Sequence, residues 1–273
     1  MAAAGVLVRL RDDDSPSRSS RVPAEEVVHL HGIGLNPADG QLYVASHTGV
    51  LTTGPDGELV RVGDRYQDTM GFTVLGPDTF LGSGHPDLRE DAPRSLGLIR
   101  SEDAAENWEP VSLYGEADLH AIVSAHDRIY AADATAGQLI VSTDEGRSWQ
   151  RRGEVELAAL AVDPSDPNRL VGSDYAGSLH RSEDGGLTWQ PVDGPTVTTL
   201  AWGAEVGLLG AGPEGDVHAS ADGVTWEEVG RIDGSGPVIT IVDGVVWAAA
   251  DGARFVHSDD GGLTWTATDR SSS

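Results

Sequence analysis

Five of the chain's nine histidines stand in short polar phrases: His29-Leu-His31-Gly-Ile33, Ala45-Ser-His47-Thr48, Gly84-His85-Pro86 and Asp118-Leu-His120. Neutral imidazoles that converge with carboxylates form the donor sets of zinc, copper, iron and nickel sites. A spacing of two recurs in His29/His31, Asp118/His120 and Asp68/Met70. Residues two apart share a face of a strand, so strand structure would aim each pair the same way. The chain has no cysteine, which removes thiolate ligands and disulfides together.

The elements that must hold these residues follow from a repeat. Ser101-Glu-Asp103, Ser142-Thr-Asp144, Ser182-Glu-Asp184, Ser220-Ala-Asp222 and Ser258-Asp-Asp260 are each followed by a tryptophan, at 108, 149, 189, 226 and 265, with spacings of 37 to 41 residues. That period matches one four-stranded blade of a β-propeller. A hydroxyl and a carboxylate two residues apart cap a tight turn, a following glycine permits positive φ, and the tryptophan buries a large apolar area beside it. These residues are read as a folding device without catalytic role. Three strand-like runs precede each box. In the fourth unit they are Leu157–Val162, Arg169–Ser173 and Ser178–Arg181, with Thr188–Val192 after the box. A sixth unit runs from Val27 to Val62, with a decayed box at Thr53-Gly-Pro-Asp56-Gly57. The expectation is an all-β, six-bladed β-propeller over residues 27–268, between an N-terminal segment, 1–26, and a tail, 269–273. Residues 5–11 suit an edge strand and 12–20 a flexible linker.

The boxes resemble those of bacterial-neuraminidase-repeat (BNR) proteins. The phrase His29-Leu-His31-Gly-Ile-Gly-Leu-Asn-Pro37, with Ala45-Ser-His47-Thr-Gly49, Gly84-His85-Pro86 and Asp118-Leu-His120, is similar to a bacterial Asp-box family whose members often carry the name glycosyl hydrolase or exo-sialidase. The likeness covers nearly the whole of 27–268. It implies the propeller and sets glycoside hydrolysis beside the chemistry of the histidines.

Alignment of the six units turns the histidines into geometry. The innermost strands begin at His29, Asp68, Asp118, Glu156, Thr196 and Pro237, and two residues later come His31, Met70 and His120 in the first three blades. The second strand runs antiparallel to the first, so His47 and His85 at its end belong to the same face, opposite the boxes. A metal site follows as the expectation, with His31, His85 and His120 as the favoured ligands and His29 and His47 next. Copper, zinc and iron all fit, and Met70 at the same ring favours copper. Asp118, Asp68 and Glu156 are the candidate general bases or orienting groups. The alternative is a wet polar channel whose imidazoles bond water. The long segment from Pro86 to Leu96 lies on the histidine face as a lid or substrate wall. His126, His180, His218 and His257 fall elsewhere and are read as structural or solvated.

Composition narrows the partners. All 18 basic residues are arginine against 44 acidic ones, a formal charge of −26, which repels nucleic acid and anionic membranes. A small-molecule ligand remains. No stretch is apolar enough for a signal peptide or a membrane span, and with no cysteine this suits a cytoplasmic location. Sialidase chemistry needs an arginine triad on the inner strands. Arg89 and Arg94 share one loop, Arg61 and Arg100 lie on outer parts of blades, and no Arg-Ile-Pro segment occurs, so that activity is not expected. A glycan-binding protein, a glycosidase using two carboxylates and a non-catalytic interaction scaffold remain as alternatives.

Overall fold

The computed structural model describes residues 20–23, 26–27, 29–54, 58–250 and 252–268. Among them the chain forms six antiparallel sheets in succession around one axis. Blade 1 comprises Leu30–Leu35, Leu42–Ser46, Gly49–Thr53 and Leu59–Arg61; blade 2, Asp68–Gly76, Thr79–His85, Leu98–Ser101 and Glu109–Ser112; blade 3, Leu119–Ala125, Arg128–Asp133, Gln138–Ser142 and Gln150–Glu154. Blade 4 comprises Ala159–Val162, Leu170–Ser173, Leu179–Ser182 and Gln190–Val192; blade 5, Thr199–Gly203, Gly207–Ala211, Asp216–Ser220 and Glu227–Arg231; blade 6, Val238–Val242, Val245–Ala250, Arg254–Ser258 and Thr266–Ala267. Neighbouring inner strands touch all the way round, and that of blade 1 meets that of blade 6. The last blade supplies all four of its own strands, as the sequence implies.

The N-terminal expectation needs one correction. Ser20–Arg21 is a short fifth strand on the outer edge of blade 1, pairing Ser20 with Arg61 and Arg21 with Val60, so the linker cannot extend through Ser20. The edge of blade 1 was free to accept it. The strand expected at 5–11 and the decayed box at 55–57 lie outside the described residues. Among those described, no helix is long and apolar enough to cross a membrane.

Apolar side chains fill the wedge between each pair of blades. Tyr43 and Phe80 lie between blades 1 and 2, Leu98 and Ile129 between 2 and 3, Tyr130 and Leu170 between 3 and 4, and Val171 and Leu208 between 4 and 5. Leu209 and Val246 join blades 5 and 6, and Val44 and Phe255 close the ring. Each repeated tryptophan packs into the wedge shared with the preceding blade, from Trp108 to Trp265. The period of the tryptophans is therefore the period of the wedges.

The Ser-x-Asp turns join the third and fourth strands on the face opposite the histidines. In blade 4, the Ser182 hydroxyl donates to Asp184 Oδ1 at 2.9 Å and accepts from the Gly186 amide at 2.9 Å. Asp184 also accepts from the amide and hydroxyl of Thr188, and these bonds, the Thr188 hydroxyl foremost, draw its pKa down to about 2. Gly186 has φ 83°, and a Cβ there would lie 2.1 Å from Leu139 of blade 3. In blade 2, Ala104 and Ala105 hold the turn at φ 55° and 74° without glycine. Ser182→Ala removes three bonds made by a buried hydroxyl and should destabilise the protein by about 1–2 kcal/mol in urea unfolding, with no change at the histidine face.

Candidate metal and proton-transfer site

At the histidine end, the inner strands of blades 1, 2 and 3 each carry one residue too many, and that of blade 2 has a second such irregularity at Leu75. In blade 1, Leu30 pairs with Ser46 and Gly32 with Ala45, leaving His31 without a partner. In blade 3, Leu119 pairs with Asp133 and Ala121 with Ala132, leaving His120. In blade 2, Thr69 pairs with Gly84 and Gly71 with Ser83, leaving Met70. The inner strands of blades 4, 5 and 6 pair without a break. A β-bulge bends the strand and re-aims the extra side chain. Leu119 and Ile122, three apart, consequently enter the same interblade wedge, while His120 between them lines the axial channel.

Glycines make these bulges possible. A Cβ on Gly84, at φ 138°, would lie 2.0 Å from the Asp68 carbonyl, and one on Gly71 would lie 2.2 Å from the Leu119 carbonyl. The first close approach seats His85 directly opposite Asp68 in the ladder. Below the bulges the channel, of ≈ 1420 Å³, runs between all six inner strands.

At the mouth, a connected array of imidazoles and carboxylates runs from blade 1 to blade 3 and ends on a tyrosine of blade 4. His29 Nδ1 lies 3.2 Å from His47 Nε2. The other nitrogen of His47, Nδ1, lies 3.4 Å from His31 Nε2 and 2.9 Å from Asp68 Oδ1. His31 Nε2 is itself 3.7 Å from Asp68 Oδ1. His85 bridges the two halves, with Nδ1 3.6 Å from Asp68 Oδ2 and Nε2 3.4 Å from Asp118 Oδ2. His120 Nε2 is 2.9 Å from Asp118 Oδ2, and the Tyr175 hydroxyl is 2.8 Å from His120 Nδ1.

Among the described residues, the ligand atoms of His31, His47 and Asp68 all lie within 4.8 Å of one another. This compact group differs from the trio favoured by sequence spacing. His31 is in it, but His85 stands between two carboxylates, and both nitrogens of His120 already face Asp118 and Tyr175. Glu156 is exposed and bonds to none of the histidines. Its charge is felt at Tyr175, whose pKa is raised by burial first and then by Asp118 and Glu156. Tyr175 was missed in the sequence, although the signal was there. It sits in the turn after the second strand of blade 4, one residue beyond the place equivalent to His47 in blade 1.

Burial, followed by the charge of His47, lowers the His31 pKa to about 4, against the weaker upward pull of Asp68. His31 is therefore neutral at pH 7, as an imidazole ligand must be. Burial alone would raise the Asp118 carboxyl. The hydrogen bond and charge of His120, helped by His85 and Arg94, reverse this and hold it below the ordinary carboxylate range.

The segment from Pro86 to Leu96 is pinned at the junction of blades 1 and 2, and none of its residues lines the channel. Buried Asp87 accepts from the Tyr66 amide and from Arg89, whose guanidinium covers the Tyr66 ring, while Arg65 pairs with Glu90. Four histidines lie outside the array. His180 and His218 bond Asp174 and Asp216 of their own blades, His257 packs on Trp247, and His126 bonds the Asp163 carbonyl.

Fold and mouth together define a six-bladed β-propeller with a histidine–carboxylate array at one end of its channel. No family model matches the chain. It is 28% identical over 228 residues to a xyloglucanase of Paenibacillus sp, an alignment covering 72% of this chain and 22% of that protein. The chain thus spans less than a quarter of that relative. Among solved structures it is similar to a gluconolactonase of Xanthomonas campestris (TM-score 0.64, 15% identity, 85% of this chain and 86% of that one). It is also similar to a GH74 xyloglucanase of Xanthomonas campestris (TM-score 0.55, 20% identity, 89% and 38%). These structural likenesses establish the shared fold.

The His31 environment sets a pH dependence. The unfolded chain takes up the proton near pH 6.5 and the folded protein only near pH 4. Metal-free protein should thus be fully stabilised above pH 6.5 and lose stability as pH falls towards 4, by up to about 3 kcal/mol. His31→Asn should flatten that part of the curve in denaturant titrations at stepped pH.

Proposed function

We propose that this propeller is a metal-dependent hydrolase acting on a small, sugar-derived molecule at the histidine mouth, with His31, His47 and Asp68 as the ligands of one divalent transition ion. The observation that carries the reading is the convergence of His31 Nε2, His47 Nδ1 and Asp68 Oδ1 within one ion's reach. Two imidazoles and a carboxylate suit zinc or iron(II), and copper less well. Three protein ligands leave positions open to water and substrate. The neighbours support the ligand set. His29 faces the remaining nitrogen of His47, and His85 faces the remaining oxygen of Asp68, as outer partners that orient ligands do.

When bound, such an ion polarises a substrate oxygen and lowers the pKa of water. The protein's own groups do the rest. His29 and His85 hold the donor atoms on target, and Asp118 with His120 offers a site for a proton. The channel below takes the body of the ligand. Likeness to a gluconolactonase and to xyloglucanases supports a carbohydrate-derived substrate. The five Ser-x-Asp turns support descent from Asp-box repeats.

A second reading, glycoside hydrolysis by a carboxylate pair, is favoured by the similarity to xyloglucanases. It requires one carboxyl to stay protonated as the general acid. Asp118 is pushed the other way by the hydrogen bond and charge of His120, which supports the first reading.

Calorimetric titration of untagged, chelator-stripped protein tests the first reading. Zinc or iron(II) should bind with a stoichiometry of one, and more weakly as pH falls towards about 4, where His31 takes up its proton. His47→Ala should abolish binding, His29→Ala should weaken it about 10–100-fold, and His126→Ala should leave it unchanged. Chelation should stop hydrolysis of glucono-δ-lactone. Xyloglucan-oligosaccharide cleavage that survives chelation would instead establish the glycosidase.

A further inference from the structure

The proposed ligand set leaves three groups unused on the side of blades 3 and 4. Tyr175 is 56% exposed and lines the channel. It sits in a turn closed by Asp174, whose Oδ1 accepts from the amides of Ala176 and Ser178, both at 2.9 Å. The Gly177 amide bonds the Asp174 carbonyl, and His180 ties the other carboxylate oxygen at 3.3 Å. The phenol is therefore held on a braced turn, with its oxygen on His120 and its ring edge against that imidazole.

The direction of the hydrogen bonds follows from chemistry. An ionised carboxylate only accepts, so His120 Nε2 carries the hydrogen that meets Asp118 Oδ2. In the neutral ring, Nδ1 then holds the lone pair and the Tyr175 hydroxyl donates to it. Hydroxyl, imidazole and carboxylate stand in line, with the hydroxyl outermost. Hydroxyl–imidazole–carboxylate alignment is the arrangement in which an imidazole accepts a hydroxyl proton and the carboxylate stabilises the cation. The second carboxylate oxygen, Asp118 Oδ1, is buried with no hydrogen-bond donor among the described residues.

We propose that Tyr175 is a catalytic residue that passes the proton of an attacking water to His120 during hydrolysis of an ester or lactone at this mouth. The inference rests on the hydrolase reading for its reaction, while its three residues are separate from the proposed metal ligands. An O–H bond of water breaks and its proton goes to the phenol oxygen, while the phenol's own proton crosses to His120 Nδ1. The water oxygen forms a C–O bond to the carbonyl carbon, and Asp118 holds the imidazolium. When the C–O bond to the departing alkoxide breaks, the proton returns through Tyr175 to the alkoxide oxygen. One water is consumed, an acid and an alcohol appear, and no oxidant or reductant is needed. Tyr175 is a phenol before and after, which suits a group whose pKa is held up rather than down.

Tyr175→Phe, which removes only the hydroxyl, tests this with glucono-δ-lactone and p-nitrophenyl acetate as probes of the zinc-treated protein. The expected result is a kcat lowered about 100-fold, with KM and zinc affinity unchanged. In the metal-free protein, nitrogen NMR should find His120 protonated at Nε2 in both forms, with its Nδ1 resonance shifted in the variant. A kcat equal to that of the wild type, a wild-type His120 protonated at Nδ1, or no hydrolysis of either probe by the wild type would each overturn the relay. If zinc fails to bind while the variant still loses hydrolysis, the relay stands and the metal reading falls alone.

Discussion

An inner strand of a propeller alternates its side chains between two interblade wedges, so an unbroken strand leaves mainly backbone edge towards the axis. The single unpaired residue at His31, Met70 and His120 breaks this alternation in three adjacent blades. Leu119 and Ile122 still fill one wedge, and the residue between them is released into the channel. Gly71 and Gly84 admit the backbone approaches that the bulge in blade 2 requires. The functional face thus depends on a local irregularity, and the remaining three blades, which lack it, close the ring as scaffold.

Electrostatics then divides the mouth. The carboxylates of Asp68 and Asp118 are separated by the His85 ring, each facing one of its nitrogens. Around Asp68 gather three histidines, one of them buried enough to stay neutral. Around Asp118 stand His85 and His120, with Tyr175 beyond His120. Imidazoles placed between carboxylates temper the repulsion that two anions would otherwise exert in a chain of net charge −26. One half of the mouth has the donors for a cation and the other has the hydrogen-bonded line for a proton.

Much of this was legible before any coordinates. The tryptophan spacing reports the interblade wedges, because each tryptophan fills one, and the Ser-x-Asp pairs report turns whose bonds are purely local. Antiparallel pairing placed His47 and His85 beside the starts of the inner strands, where they are found. Bulges left no such trace, since one extra residue changes register without changing composition. The trio of His31, His85 and His120 that spacing favours differs from the compact group of His31, His47 and Asp68. Spacing also cannot say which nitrogen meets which carboxylate, or that Glu156 is exposed. Tyr175 has neither an imidazole nor a carboxylate to mark it, and it lies one residue beyond the position equivalent to His47. Asp12 to Ser20 was read as linker because two residues are too few to show a strand pattern.

The propeller is shared with a gluconolactonase and with xyloglucanases at low identity, so the fold permits several chemistries and the mouth must decide among them. The most direct measurement is an anomalous difference map from crystals grown with zinc and recorded at the zinc edge. The account predicts one strong peak bonded to His31 Nε2, His47 Nδ1 and Asp68 at about 2 Å, with His29 and His85 still on the far sides of the ligands. No peak at the mouth, or a peak held by other residues, would contradict it.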